Sequence, residues 1–213
     1  MKIIAGKFKG RNLEYRTRRG LRVTSQKVKE AIFSILGSSI NNARVMDLYC
    51  GYGSLGLEAI SRGASHVTFV DVDSGALKQL KFFLDKLGIV DQATVIKRDA
   101  VKAVKQGTPE SLDLVLMDPP YHVKFEIKTL EAIDKADLIK PGGIAVVEHY
   151  AENKLPEQVG RFTLRKVKTY GDTAVSIYLL PGGDNDGRLT PEQEECAGED
   201  ASADKESPDS PGN

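Results

Sequence analysis

Asp118-Pro119-Pro120-Tyr121 puts a carboxylate, a carbonyl held by two rigid residues and an aromatic ring into four consecutive positions. That set suits chemistry on an amino nitrogen conjugated to a ring. Such a nitrogen is a poor nucleophile because its lone pair is delocalised. Two acceptors, the Asp118 carboxylate and the Pro119 carbonyl, would each take one N–H. They would draw the nitrogen toward tetrahedral geometry and stabilise positive charge developing during alkylation. The prolines have no N–H and fix the backbone, which holds the Pro119 carbonyl in place. Tyr121 offers a face on which an extruded base would stack. Asp-Pro is also ordinary turn chemistry, so the tetrapeptide needs a second site beside it to carry a function.

That second site is Asp47-Leu48-Tyr49-Cys50-Gly51-Tyr52-Gly53-Ser54-Leu55-Gly56. Gly51, Gly53 and Gly56 match the GxGxxG spacing of a tight strand-to-helix turn that lets a ligand approach backbone. The spacing alone fits a dinucleotide fold, and an NAD-dependent oxidoreductase is one rival reading. Asp47 argues against it. A carboxylate there repels a pyrophosphate but pairs with the ammonium of a methionyl group. S-adenosylmethionine is therefore the expected cofactor. Asp71, with Val72 behind it, ends the next apolar run and is placed for the two ribose hydroxyls. Asp99 and Ala100 follow the third run; Asp99 is a candidate partner of the adenine amine, an N-cap, or both. Tyr49 belongs to the same turn. Cys50 reads as a small packed side chain rather than a nucleophile.

The elements that must position these residues alternate. Apolar runs suited to buried parallel strands fall at 44–48, 66–70, 93–96, 112–117 and 143–147. Helix-period stretches lie between them, clearest over 76–87. Residues 162–167 and 173–180 flank Tyr170-Gly171-Asp172 and read as an antiparallel hairpin. The expectation is α/β: a class I methyltransferase (Rossmann-like), doubly wound fold. Its mostly parallel seven-stranded sheet ends in the hairpin. Ahead of it, residues 2–15 read as a short strand pair around Lys9-Gly10. Thr24 or Ser25 then caps a helix that Gly37 ends.

The 213 residues carry no net formal charge, but the charge is unevenly placed. Residues 1–29 hold ten Lys and Arg against Glu14 alone, while residues 182–213 hold ten acidic residues against Arg188 and Lys205. Lys7, Lys9, Arg11, Arg16, Arg18, Arg19 and Arg22 suit phosphate contacts, with Phe8 and Tyr15 available to stack. The acidic end cannot bury enough apolar area to offset ordering, so it reads as a disordered tail, chiefly solubilising. The resulting division is a basic extension over 1–42, a catalytic domain over 43–181 and the tail over 182–213. No run approaches the roughly 18 apolar residues of a membrane span. Neither a secretory leader nor a cysteine framework is evident, which points to a cytoplasmic enzyme. No metal is called for, and a monomer is expected.

In combination these motifs resemble the amino-methyltransferases, and the N-terminal stretch narrows the resemblance. Ile4-Ala5-Gly6-Lys7-Phe8-Lys9-Gly10-Arg11, and Leu21-Arg22-Val23-Thr24 leading to Lys29-Glu30-Ala31-Ile32-Phe33, resemble the RsmD family. That family comprises 16S rRNA guanine-N2 methyltransferases, and the similarity spans residues 1–180. Members usually carry Arg-Pro-Thr where this chain has Arg22-Val23-Thr24, and Arg where it has Lys29. Their cofactor loop often reads Phe-Ala-Gly-Ser-Gly, against Tyr49-Cys50-Gly51-Tyr52-Gly53 here. The resemblance implies S-adenosylmethionine as methyl donor and small-subunit rRNA, or an assembling 30S particle, as partner. It also implies that Thr24 and the helix behind it close over the cofactor. A DNA or RNA adenine-N6 methyltransferase shares the tetrapeptide, and a non-catalytic RNA-binding module would share the basic arm.

Overall fold

In the computed structural model, residues 1–14, 24–120 and 125–182 are described. Apolar runs and helical stretches alternate as the sequence pattern requires. Strands β1 (Arg44–Leu48), β2 (His66–Asp71), β3 (Ala93–Lys97) and β4 (Leu112–Met117) are followed by the longer β5 (Ile139–Tyr150). Between them come helices α2 (Ser54–Ser61), α3 (Ser74–Leu87), α4 (Ala100–Val104) and α5 (Phe125–Lys135), with α1 (Gln26–Leu36) ahead of the sheet. The chain then adds β6 (Gln158–Val159), β7 (Phe162–Tyr170) and β8 (Thr173–Leu179).

The sheet order is β3-β2-β1-β4-β5-β8-β7-β6. The first five strands pair in parallel, and β8 closes them antiparallel against β5. One expectation needs correction. The sheet has eight strands among the described residues, because the two-residue β6 pairs with the start of β7. A segment that short leaves no period-2 pattern to read. The expected N-terminal strand pair is present as a short antiparallel pairing apart from the main sheet: Lys2 bridges Asn12, the Ile3 amide donates to the Arg11 carbonyl at 3.0 Å and the Leu13 amide to the Met1 carbonyl at 2.7 Å.

Each face of the sheet is covered by helices, so the strands are buried on both sides. Val45, Leu114, Leu116, Ile144 and Val146 face α1, α2 and α3; Met46, Val115, Met117, Ala145 and Val147 face α4 and α5. Ser25 caps α1 through its Oγ, which accepts from the Val28 amide at 3.2 Å, and Gly37 closes it at φ 47°. Val28, Ile32, Phe33 and Leu36 of α1 lie within the same core as β1, so the helix is fixed to the sheet. No helix among the described residues is long and apolar enough to cross a membrane.

The winding direction reverses between β1 and β4. Open α/β sheets bind ligands in the crevice at such a reversal, beyond the carboxyl ends of the strands. Asp47 pairs with Leu116 and Leu48 with Met117, so the turn after β1 and the residues after β4 emerge side by side.

Candidate active site

The turn after β1 is built around two carboxylates. Asp47 is 2% exposed, and its Oδ2 accepts from the Gly56 amide at 2.8 Å. Burial, reinforced by the nearby Asp71 charge and partly offset by the Gly56 hydrogen bond, pushes its carboxyl up to about 7. A buried carboxylate left without a counter-charge is costly, and a cation placed against it relieves that cost. The site is therefore chemically prepared for an ammonium group.

Asp71 organises the opposite side of the turn. Its Oδ2 accepts from the Gly51 amide at 2.7 Å and its Oδ1 from the Asp73 amide at 2.8 Å. A carboxylate has about four lone-pair positions, so two remain for further donors. Beside it Val72 is 65% exposed, a flat apolar surface at the strand end. Asp99 caps α4 by accepting from the Lys102 amide at 3.0 Å, and Ala100 is buried at the helix start.

Tyr49 takes the left-handed conformation, φ 59°, which is unusual for a non-glycine residue. Two contacts hold it there. Its hydroxyl lies 2.8 Å from Thr129 Oγ1 and its ring is 6.1 Å from that of Phe125, both on α5. Cys50 is buried, and burial followed by the charges of Asp47 and Asp71 pushes its thiol well above the usual range. It is a packed side chain, 8% exposed, at the edge of the turn.

Gly53 precedes α2 at φ 80°, where a side chain would also meet Leu80. Gly56 sits in the first turn of α2, and a Cβ there would lie 2.2 Å from Phe69 Cε1 and 2.9 Å from Asp47 Oδ2. Gly56→Ala is expected to destabilise the fold by about 1–3 kcal/mol, the usual cost of overpacking. A denaturant midpoint measured beside wild type checks this.

Asp118 follows β4 and is half-buried, Pro119 is buried and Pro120 is exposed. Thr24, 6% exposed, donates from Oγ1 to Asp118 Oδ2 at 3.3 Å. Asp47, Tyr49, Asp118 and Thr24 line one pocket together with Cys50, Tyr52, Ser54 and Leu55. The structure thus brings the two motifs into one cavity, with the residue ahead of α1 joining them. Tyr121, Arg16, Arg18, Arg19, Arg22 and Tyr15, together with the tail beyond residue 182, lie outside the described residues. Lys7, Lys9 and Arg11 are exposed; Phe8 is half-buried against the core with Lys7 Nζ 5.3 Å from its ring centroid.

Sequence reasoning missed the residues that dock the basic arm. Glu58 of α2 is fully buried and accepts from the Ile4 amide at 2.8 Å, the Ala5 amide at 3.0 Å and Arg62 Nε at 2.8 Å. Lys29 Nζ donates to the Lys2 carbonyl at 2.8 Å and stands 3.6 Å from Glu58 Oε2. The available signal was an acid inside the otherwise apolar Leu55-Gly56-Leu57-Glu58-Ala59-Ile60.

Comparison with known proteins places this arrangement. Residues 1–179 match the family model described as Conserved hypothetical protein 95. The Bacillus subtilis protein YlbH is 37% identical, covering 85% of this chain and all of its own. Ribosomal RNA small subunit methyltransferase D of Haemophilus influenzae is 35% identical over 84% of this chain and 93% of that protein. The solved structure of Escherichia coli yhhF is 28% identical with a TM-score of 0.76, over 86% of this chain and 99% of that one. An RNA methyltransferase from Salinibacter ruber, solved with S-adenosyl-L-homocysteine, shares the fold at a TM-score of 0.58. With Asp47 and Asp118 opening into one pocket and the match running from residue 1 to 179, the chain belongs to the RsmD family of S-adenosylmethionine-dependent methyltransferases.

Proposed function

We propose that the protein transfers a methyl group to the exocyclic N2 amine of a guanine in small-subunit (16S) rRNA. The observation that carries this reading is the shared pocket of Asp47 and Asp118. Bound S-adenosylmethionine supplies an electrophilic methyl group. Asp47 takes the methionyl ammonium, Asp71 the ribose hydroxyls, and Asp99 the adenine amine through the oxygen that does not cap α4. Val72 and Ala100 flank the adenine. Asp118 and the Pro119 carbonyl accept the two N–H groups of the guanine amine, and Tyr121 stacks on the base. The Thr24 hydroxyl orients Asp118, so the carboxylate is fixed before the base arrives.

The basic extension supplies phosphate contacts through Lys7, Lys9, Arg11, Arg16, Arg18, Arg19 and Arg22. Removing Arg16, Arg18 and Arg19 together is expected to weaken RNA binding across sequences. It should also reduce the slope of log K against log salt by about two, at roughly 0.7 per single-strand phosphate contact. Filter binding at several salt concentrations measures both. The test of the activity itself is methyl transfer from labelled S-adenosylmethionine to assembling small-subunit particles. Label in 16S rRNA is expected; label in DNA alone, or none, would overturn the reading.

A further inference from the structure

Beside the methyl-transfer pocket, and sharing Thr24 and Ser54 with it, lies a larger cavity. It has a volume of about 670 Å³ and lies between the N-terminal segment and the start of α1. Lys2, Asn12, Thr24, Gln26, Lys29 and Ser54 line it. Every one of these side chains can donate a hydrogen bond, two are cationic, and no carboxylate stands among the described lining residues. Two acids stand just behind the lining. Glu58, whose oxygens are engaged by the Ile4 and Ala5 amides and Arg62, lies 3.6 Å from Lys29 Nζ and partly balances its charge. Asp118 accepts from Thr24 Oγ1 at 3.3 Å. Lys29 is 2% exposed, held 2.8 Å from the Lys2 carbonyl and 3.4 Å from Ser54 Oγ. The eleven-residue helix α1 also begins here, adding the positive end of its dipole to the wall.

A lining of donors that includes two cations and exposes no carboxylate describes an anion site, with exposed Lys2 supplying the charge that Glu58 does not balance. Thr24 and Ser54 belong to both cavities, and Thr24 reaches Asp118 directly. We propose that this cavity seats a backbone phosphate of the RNA strand next to the nucleotide being methylated, and so sets the register in which the target base meets Asp118. The proposal rests on the RNA-methylating reading above and assigns the strand a position relative to it. The same donors would also suit the carboxylate of the cofactor's methionyl group, though the cavity is large for a carboxylate alone.

Gln26→Glu tests it. The change is isosteric, places one carboxylate in the cavity, and puts a negative charge at a helix N-terminus where it favours folding. A thermal melt no lower than wild type would therefore accompany any loss of binding. For a small-subunit rRNA fragment, the expected result is about tenfold weaker binding. The salt slope should be smaller by about 0.7–0.9, as for one lost phosphate contact. Affinity for S-adenosylmethionine, measured by calorimetry, is expected to stay within about twofold of wild type. Lys2→Met should reduce the salt slope in the same direction. Unchanged RNA binding in both variants overturns the proposal. So does a loss confined to cofactor affinity, which would identify the anion as the methionyl carboxylate. Wild-type methyl transfer to rRNA in the same preparation separates the two claims, since its absence removes the RNA-methylating reading and not the subsite alone.

Discussion

Asp118→Ala is expected to lower the single-turnover rate of methyl transfer by about a thousandfold or more, while the Kd for S-adenosylmethionine stays within a few-fold. The magnitude follows from what is removed. One preorganised hydrogen-bond partner aimed at developing charge contributes about 10²–10³ in rate, and a carboxylate acts more strongly than a neutral group on a nitrogen becoming cationic. Asp118→Asn keeps one acceptor oxygen and loses the charge, so its loss should be smaller, about a hundredfold. Thr24→Val leaves the carboxylate in place but removes the 3.3 Å hydrogen bond that orients it. Its expected effect is about tenfold, close to one ordinary hydrogen bond. That gradation separates an acceptor on the reacting amine from a structural turn residue. Equal losses in all three variants, tracking lost thermal stability, would favour the structural role.

The second large effect concerns Asp47, where stability and function oppose each other. Its carboxyl is pushed up to about 7 by burial, against an ordinary value of 3.8. Between about pH 4 and pH 7 the folded chain therefore holds a proton that the unfolded chain has released. Stability without cofactor falls as pH rises through that window and levels off above about 7. At pH 8 the ionised group costs at most about 4 kcal/mol, from roughly three pH units at 1.36 kcal/mol each. Asp47→Asn keeps an oxygen for the Gly56 amide and removes the charge. The variant should melt higher than wild type at pH 8, with a flatter pH dependence, while binding S-adenosylmethionine at least a hundredfold more weakly.

On the proposed pairing the same group sets the pH dependence of cofactor binding in wild type. That pairing needs Asp47 ionised and the methionyl amine protonated, and free α-amines titrate near 7.7–8.0. Affinity should be greatest between about pH 7 and 8, falling about tenfold per unit on the acid side. Calorimetric titrations from pH 5.5 to 8.5 measure this. A Kd that is flat across the range would show that no ammonium pairs with Asp47.

Most of the elements and both motifs were legible because their signals are local. The strand at 112–117 has the bounds its apolar run indicates, and Ser25 and Gly37 close α1 at the expected residues. Asp47 and Asp118 are 71 residues apart, yet the parallel register of β1 and β4 fixes their approach once the doubly wound order is assumed. What escaped the sequence depends on tertiary packing. Glu58 gains its meaning only where the N-terminal segment crosses α2, and nothing in its neighbours announces that crossing. The same holds for Thr129, whose hydroxyl holds Tyr49 in a strained conformation from a helix 80 positions away. The short N-terminal strand pair, by contrast, was legible from local signals, and its alternation seats Ile3 and Leu13 in the core.

The central claim is that Asp118 and the Pro119 carbonyl accept hydrogen bonds from the two N–H groups of an exocyclic amine, and that the amine belongs to guanine. Nuclease digestion of rRNA methylated in vitro, followed by mass spectrometry of the nucleosides, tests this most directly. The account predicts N2-methylguanosine from wild type and none from Asp118→Ala. Methyl groups on a ring nitrogen, on a ribose oxygen or on adenine N6 would contradict it.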